Sequence, residues 1–274
     1  MRRLTALALT AGLAGSTLLG LAATPASAAG TSDVSILHGV PGLTVDVYAN
    51  GAKLLSNFTP GTLTDPVKLP ENTYDLAVFP AGQGPTGTPA IEAKGVKVPA
   101  GANLTVVAHL DAAGKPVLTP FVNDTSKVAP GKARLTVRHT AAAPAVDVRA
   151  NGAVAFKGLT NPNEAKADLP AGSITADVVL AGTDTVAIGP ADLDLAEGSN
   201  TIVYAWGSAG DKNLKLATQT ISGLHSAPAG VHSGTAGLVD DQLPVALVGL
   251  SAAAAAGSLL ALRRALTVRR TSRG

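Results

Sequence analysis

The sequence predicts an all-β protein built from two tandem antiparallel β-sandwiches of the Ig-like or transthyretin-like type. A seven-residue segment occurs twice, as Val-Asp-Val-Tyr-Ala-Asn-Gly at 45–51 and as Val-Asp-Val-Arg-Ala-Asn-Gly at 146–152. The separation of 101 residues between Val45 and Val146 is a usual length for one small β domain. Between these segments, short apolar runs alternate with turn residues, and no window shows sustained helical periodicity.

The first repeat is placed at residues 33–124, where alternating or β-branched runs predict eight strands. Turn residues separate these runs, for example Pro41-Gly42 and Pro60-Gly61. The predicted strands are Val34–His38, Leu43–Ala49, Lys53–Phe58, Val67–Leu69, Thr73–Pro80, Ile91–Val98, Leu104–Leu110 and Val117–Val122.

The second repeat is placed at residues 132–222 and follows the same plan. Gly101-Ala102-Asn103 corresponds to Gly198-Ser199-Asn200, so the offset between the copies has fallen from 101 to 97 residues. The second copy therefore lacks a few residues. Because insertions and deletions collect in loops, this deletion is placed opposite Ala81–Pro89, a Gly/Pro/Thr-rich loop of the first copy.

The repeated segments each predict a β-hairpin with a two-residue type I′ turn, at Asn50-Gly51 and at Asn151-Gly152. Both central residues of this turn need positive φ, which asparagine and glycine tolerate best. In the preceding strand, the period of two turns the valines inward. The residues predicted to face outward are Asp46 and Tyr48 in the first copy, and Asp147 and Arg149 in the second.

The N-terminus predicts a secretory signal peptide over residues 1–28. Arg2-Arg3 precede an apolar run from Leu4 to Ala23, and a small-x-small cleavage pattern precedes Ala29. An uncleaved N-terminal anchor is the alternative. The chain contains no cysteine, which excludes disulfides and a lipid anchor attached to cysteine.

The C-terminus predicts a membrane anchor. Residues 223–242 form a flexible stalk, 243–262 a transmembrane helix, and 263–274 a basic cytoplasmic tail. The 18 residues of Val245–Leu262 carry no charge, and five arginines follow them. The positive-inside rule then predicts a single-pass protein of the cell membrane, with the body extracytoplasmic and the C-terminus cytoplasmic. A buried core helix is the alternative.

The charge of the body argues against a nucleic-acid partner. All 19 acidic residues lie between Asp33 and Asp241. Two of the 21 basic residues lie in the signal peptide and five in the tail, which leaves 14 and a body charge of −5. A mildly acidic surface gives no electrostatic reason for binding nucleic acid.

The paired V-D-V-x-x-N-G hairpins, with a strand-ending histidine seven residues before each, resemble a bacterial exported family known as domain of unknown function 4397. The resemblance covers most of residues 33–222 as a tandem, membrane-anchored pair, and the Ala/Gly/Pro-rich composition resembles that of actinobacterial proteins. Family members carry an H-A-S-P-D-A-P-x-V-D-V stretch. Residues 38–47 and 139–148 occupy that position without the acid of its loop. The resemblance implies a β-sandwich and an extracytoplasmic setting, and it implies no activity.

The motifs give no indication of catalysis, so no catalytic, cofactor-binding or metal-binding residues are expected. There is no G-x-S-x-G elbow and no cysteine nucleophile. His38 and His139 are interpreted as strand-end imidazoles bonded to the neighbouring loop. The acids Asp192, Asp194 and Glu197 lack the full calcium-loop pattern. His225 and His232 lack an H-x-x-x-H spacing.

Two aromatic residues are candidates for contact with a glycan, because sugar-binding sites stack rings on exposed aromatics. Tyr48 is predicted outward, and Trp206 ends a predicted strand. In a chain with only eight aromatic residues, a packed Trp206 is the simpler interpretation.

The expected function is a non-catalytic cell-surface binding or adhesion module. Its partner would be an envelope protein or a cell-wall polymer, bound through loops such as Ala81–Pro89 or through strand edges. One alternative is a structural envelope spacer without a specific ligand. Another is a hydrolase of envelope material, which would need a pocket joining polar groups from both repeats. A binder should show an apolar or aromatic surface patch, and a spacer an evenly polar surface.

Overall fold

The computed structural model describes residues 30–226, which form sixteen β-strands and no helix. The predicted signal peptide, transmembrane helix, tail and most of the stalk lie outside the described residues. Within residues 30–226, no helix is long and apolar enough to cross a membrane.

The first repeat holds eight strands. They are β1 (Thr31–His38), β2 (Val45–Ala49), β3 (Ala52–Phe58), β4 (Val67–Pro70), β5 (Asn72–Pro80), β6 (Ile91–Val98), β7 (Asn103–Leu110) and β8 (Pro116–Val122). The second repeat also holds eight. They are β9 (Lys132–Ala142), β10 (Val146–Ala150), β11 (Ala153–Leu159), β12 (Glu164–Pro170), β13 (Gly172–Leu180), β14 (Val186–Leu195), β15 (Asn200–Ser208) and β16 (Lys215–Ile221).

The local predictions for strands and turns are confirmed. All eight runs predicted in the first repeat are strands, and Ile91–Val98 has the predicted bounds. Asn50 and Gly51 have φ of 49° and 79°, as a type I′ turn requires, and the second turn has the same conformation. The loop between β5 and β6 spans residues 81–90 and its counterpart only 181–185, so the deletion lies where it was predicted.

Each repeat consists of two four-stranded sheets. The outer sheets have the orders β3-β2-β5-β6 and β11-β10-β13-β14. The inner sheets have the orders β4-β1-β7-β8 and β12-β9-β15-β16. The prediction of purely antiparallel sheets is wrong at one pair in each inner sheet, because β1 runs parallel to β7 and β9 parallel to β15. These strands begin at the same end of the repeat and reach their places through long crossovers.

The sheets of each repeat enclose an apolar core, as in a β-sandwich. In the second repeat, Leu135 and Val203 from the inner sheet pack with Val148 and Val178 from the outer sheet. The first repeat has the equivalent core, with Ile36 facing Val47 among others. This packing buries one face of each sheet.

The inner sheets are buried on their second face as well, because the two repeats pack against each other. Leu37, Val107 and Phe121 of the first repeat form one cluster with Ile202 and Tyr204 of the second. All residues of β15 are therefore buried, and so are all but one of β7. The order of sheets through the molecule is outer, inner, inner, outer.

The strand directions separate the turns into two ends. At one end, which we call the terminal end, Gly30 accepts a hydrogen bond from the turn at Glu71, and Leu224 donates one to Gly198. The linker 123–131 lies there too, since Val128 donates a hydrogen bond to Leu224 at 2.7 Å and accepts one from Ser226 at 3.0 Å. The opposite end, the loop end, carries the longer connections. In the first repeat these are 39–44, 59–66, 81–90 and 111–115.

Candidate functional site

The aspartate of each repeated segment anchors two backbone loops. Asp147 accepts hydrogen bonds from the amides of Gly158, at 2.6 Å, and Gly182, at 2.9 Å. Both bonds lower the pKa of this carboxyl, that of Gly182 more. Asp46 accepts in the same way from Asn57, at 2.9 Å, and Gly82, at 3.3 Å. The V-D-V aspartate therefore connects the bulge in the next strand (β3 or β11) to the loop that follows β5 or β13. This is a structural role.

Asp46 and Tyr48 were predicted outward, and the expectation that they are exposed is wrong. They lie on the outer face of their sheet, but only 2% and 5% of their surface is accessible. Lys53 forms an ion pair with Asp46 at 2.9 Å, and the Tyr48 ring packs edge-on against Phe79. Gly84 of the loop 81–90 also approaches the Tyr48 hydroxyl. The loop and the lysine cover this face, so Tyr48 offers no platform to a sugar ring.

In the second repeat, Arg149 occupies the position of Tyr48. Its guanidinium pairs with Asp177 and, at 3.1 Å, with the exposed Asp184. The pKa of Asp177 is lowered chiefly by this hydrogen bond. The outward prediction holds for Arg149, whose side chain keeps about a fifth of its surface accessible, while Asp147 is buried.

His38 and His139 are both buried and bonded to the neighbouring loop, as predicted, but only His38 ends its strand, since β9 continues from His139 to Ala142. The Nε2 of His38 lies 2.7 Å from the carbonyl oxygen of Leu43, and the Nε2 of His139 lies 3.0 Å from that of Pro144. On the other side of each ring, Nδ1 accepts a hydrogen bond from the backbone amide of the residue two positions later in the chain, Val40 or Ala141. Both rings are therefore held neutral, and burial lowers the pKa of each. The geometry gives both histidines a structural role.

Trp206 is packed between the repeats, as the simpler interpretation predicted. It retains 4% accessibility and lies against Gly39 and Gly61 of the first repeat. A Cβ added at Gly61 would come within 2.9 Å of the indole. The two glycines thus make room for the only tryptophan of the chain.

The acidic residues considered for calcium are engaged separately. Asp192 accepts a hydrogen bond from Thr175, and Glu197 accepts one from the amide of Gly131. Within residues 30–226, no three or more His, Asp or Glu side chains come together in a way that would hold a metal ion.

A buried polar network joins the repeats at the centre of their interface. The side chain of Arg138 is 1% exposed and donates to Glu164, to Asn123 and to the Tyr204 hydroxyl, each at 2.8 Å. Its guanidinium carbon lies 4.5 Å from the centre of the Phe121 ring. Phe121 belongs to β8 of the first repeat and Asn123 is the first linker residue after that strand, so this one side chain contacts both halves.

Gln219 extends the network. Its Oε1 accepts from Tyr204 at 2.6 Å and from Thr105 at 2.9 Å, and its Nε2 donates to Ser35 at 3.3 Å. Sequence analysis missed this interface. The available signal was the loss of alternation in β7 and β15, where Val106-Val107 and Ile202-Val203-Tyr204 are apolar on both faces.

The described surface carries few large apolar side chains, and they are scattered. Leu43, Val122, Val154 and Val186 are exposed, on different loops and strands. The two sandwich cores enclose apolar cavities of about 20 Å³ each, which is room for one water molecule. A groove of about 320 Å³ at the terminal end of the second repeat is lined by uncharged residues, 150–151 and 169–174.

Comparison with known proteins gives one family. The model of the family described as Domain of unknown function (DUF4397) matches residues 32–149. The match covers the first repeat and the start of the second, up to Arg149 in β10. It confirms the resemblance to this family for that part of the chain, which includes the first hairpin and ends before the second turn at Asn151-Gly152. No curated protein matches the chain.

Proposed function

Taking the match of residues 32–149 to DUF4397 as a premise, we propose that the chain is a non-catalytic module displayed outside the cell membrane. In this proposal, a signal peptide directs export and the predicted helix 243–262 holds the chain in the membrane. The two repeats act as one rigid body that binds an envelope protein or a cell-wall polymer at its loop end.

One observation carries the proposal: the chain enters and leaves the body at the same end. Gly30 and Ser226 both lie at the terminal end, where the linker also lies. A membrane anchor that follows Ser226 would hold this end towards the membrane. The longest connection, 81–90, would then face away from it, as would the other long loops.

The interface between the repeats supports rigid display. Hydrogen bonds cross it at the centre, from Arg138 to Asn123, and near the loop end, from Asn161 to the carbonyl of Leu110 at 2.7 Å. Buried hydrogen bonds between polar groups favour the one arrangement in which those groups meet. A rigid body keeps its loops at a constant distance from the anchor.

A binding assay tests the proposal. Residues 30–226 are incubated with isolated cell envelopes, before and after associated proteins are stripped away. Retention on stripped envelopes supports a cell-wall polymer as partner, and retention only on unstripped envelopes supports a protein. No retention on either contradicts the adhesion proposal.

A loop exchange locates the binding surface, since the second repeat supplies a shorter natural loop. Residues 81–90 are replaced by the sequence of 181–185, and retention should fall at least tenfold while the melting temperature changes little. The matched control exchanges equivalent loops at the terminal end, replacing 99–102 by the sequence of 196–199, and should bind as the original does. Equal retention by both variants would contradict recognition through loop 81–90.

A spacer without a specific ligand is the second candidate, and a specific observation favours it. Tyr48 and Trp206 are buried, and the exposed apolar side chains of residues 30–226 form no patch. A hydrolase has less support, because the polar groups that meet from both repeats do so around Arg138, whose side chain is 1% exposed.

A further inference from the structure

At three equivalent positions of the two inner faces, the first repeat has an apolar side chain and the second a polar one. Leu37 pairs with Val107 across β1 and β7, and Arg138 pairs with Tyr204 at the same place across β9 and β15. In the next strand, Phe121 of β8 corresponds to Gln219 of β16, opposite Thr105 and Ile202 respectively. The first repeat thus presents Leu, Val and Phe where the second presents Arg, Tyr and Gln.

These two triads meet each other in the interface. The guanidinium of Arg138 lies over the Phe121 ring, and Tyr204 packs with Leu37 and Val107. An aromatic face is a favourable surface for a guanidinium that has lost its water. Arg138 and Tyr204 of the second repeat thus pack on the apolar triad of the first, while Gln219 bonds to Thr105 and Ser35 of the first repeat.

We propose that the inner face of the second repeat is a recognition surface that accepts a first repeat and rejects a second copy of itself, with Arg138 as the specificity-determining residue. If two second repeats met in the same geometry, each Arg138 would face Gln219 in place of Phe121. Two guanidinium groups would then enter one buried interface, and each would lose the Phe121 ring and the hydrogen bond to Asn123, keeping only Glu164 and Tyr204 of its own repeat. The triad of the first repeat carries no charge, so the selectivity lies on the second.

The partner that fits this surface is a β-sheet face with an apolar triad, of the kind that the first repeat presents. This inference concerns the pairing of repeats and is independent of where the chain is displayed.

The test uses residues 30–226 with a protease site inserted between Ala129 and Pro130, both exposed in the linker. After cleavage, the two halves should elute as one species, and separation of the halves would contradict the proposal. Two batches with different tags on the second repeat are then mixed in urea, refolded together and captured through one tag. Capture should recover first repeats and none of the second repeats that carry the other tag.

The variant Arg138→Leu should gain pairing between second repeats, detected as both tags in one captured particle of the size of two halves. Gain of a defined pair is not a result that misfolding produces. The matched control is Arg149→Leu, which removes a guanidinium from the outer sheet of the same repeat and should behave as the original. Pairing of second repeats with Arg138 intact, or none in Arg138→Leu, would overturn the proposal.

A charge placed on the other face gives an independent measurement. Leu37→Arg should weaken the association of the cleaved halves at least 100-fold, and adding Arg138→Leu should recover at least tenfold. Val154→Arg, at an exposed position of the outer sheet, is the control and should leave the association unchanged. No recovery in the double variant would show that Leu37→Arg acts only by burying a charge, and would also overturn the proposal.

Discussion

Replacing Arg138 by methionine tests how far the interface stabilises the body. The guanidinium makes three hydrogen bonds of 2.8 Å with a side chain that is 1% exposed. Breaking a buried ion pair by removing one partner costs about 3–5 kcal/mol. The lower end applies here, because the Glu164 side chain is 32% exposed and regains water, and Tyr204 still donates to Gln219. We expect a loss of about 3 kcal/mol in the free energy of unfolding.

The assay is urea unfolding of residues 30–226, followed by the fluorescence of Trp206, which lies in the same interface. At a typical slope of about 2 kcal/mol per molar urea, the midpoint should fall by about 1.5 M. The control is Lys68→Met, which removes an exposed pair with Asp33 and should cost less than about 0.5 kcal/mol. A midpoint shift for Arg138→Met no larger than that of the control would refute the argument.

Three further predictions concern the histidines, the C-terminal segment and the hairpin turns. Burial lowers the folded-state pKa of His38, of His139 and of His109, a fully buried residue of β7, below 6.5, so the unfolded chain binds protons first as the pH falls. Stability should therefore fall below pH 6.5, by up to about 1.4 kcal/mol per pH unit for each histidine, as measured by urea midpoints from pH 8 to 5. Leu224→Ala should cost about 2 kcal/mol in the same assay, because Leu224 is 5% exposed. Gly152→Ala should cost about 1 kcal/mol, because φ of 80° disfavours a side chain although space is free.

Each of these predictions has a contrary result. A stability that stays constant from pH 7 to 5 would contradict the neutral, buried histidines. A Leu224→Ala variant as stable as the original would show that burial of the Leu224 side chain does not stabilise the body. For the turn, Gly210→Ala is the matched control, since Gly210 does not have a positive φ and a Cβ there would meet only an ordinary contact. A Gly152→Ala variant no less stable than that control would contradict the turn argument.

Local structure was predictable from the sequence because its causes are local. The asparagine–glycine pairs specify their turns through positive φ, and the Gly/Pro-rich stretch 81–89 marks a loop. The same holds for the histidines, whose partners Leu43 and Pro144 lie five residues along the chain. Each of these features depends on a few neighbouring residues.

The features that were missed or predicted wrongly depend on contacts distant in sequence. The period of two placed Tyr48 on the correct face of its sheet, but the loop that covers it follows thirty residues later. The parallel pairing of β1 with β7 joins strands some seventy residues apart. The interface residue Gln219 bonds to Ser35, 184 residues away. A local sequence pattern does not indicate which distant segment of the chain will cover a given side chain.

Because both chain ends lie at the terminal end, the fold should tolerate a circular permutation that exchanges the order of the two repeats. Gly30, the linker and Ser226 lie at one end of the body, so the order of the two repeats along the chain is a matter of covalent connection. A circular permutant that begins at Pro130, runs to Ser226, continues through a new short joint to Gly30 and stops at Ala129 would retain every strand pairing within each repeat. The fold is thus compatible with either order of the two repeats along the chain.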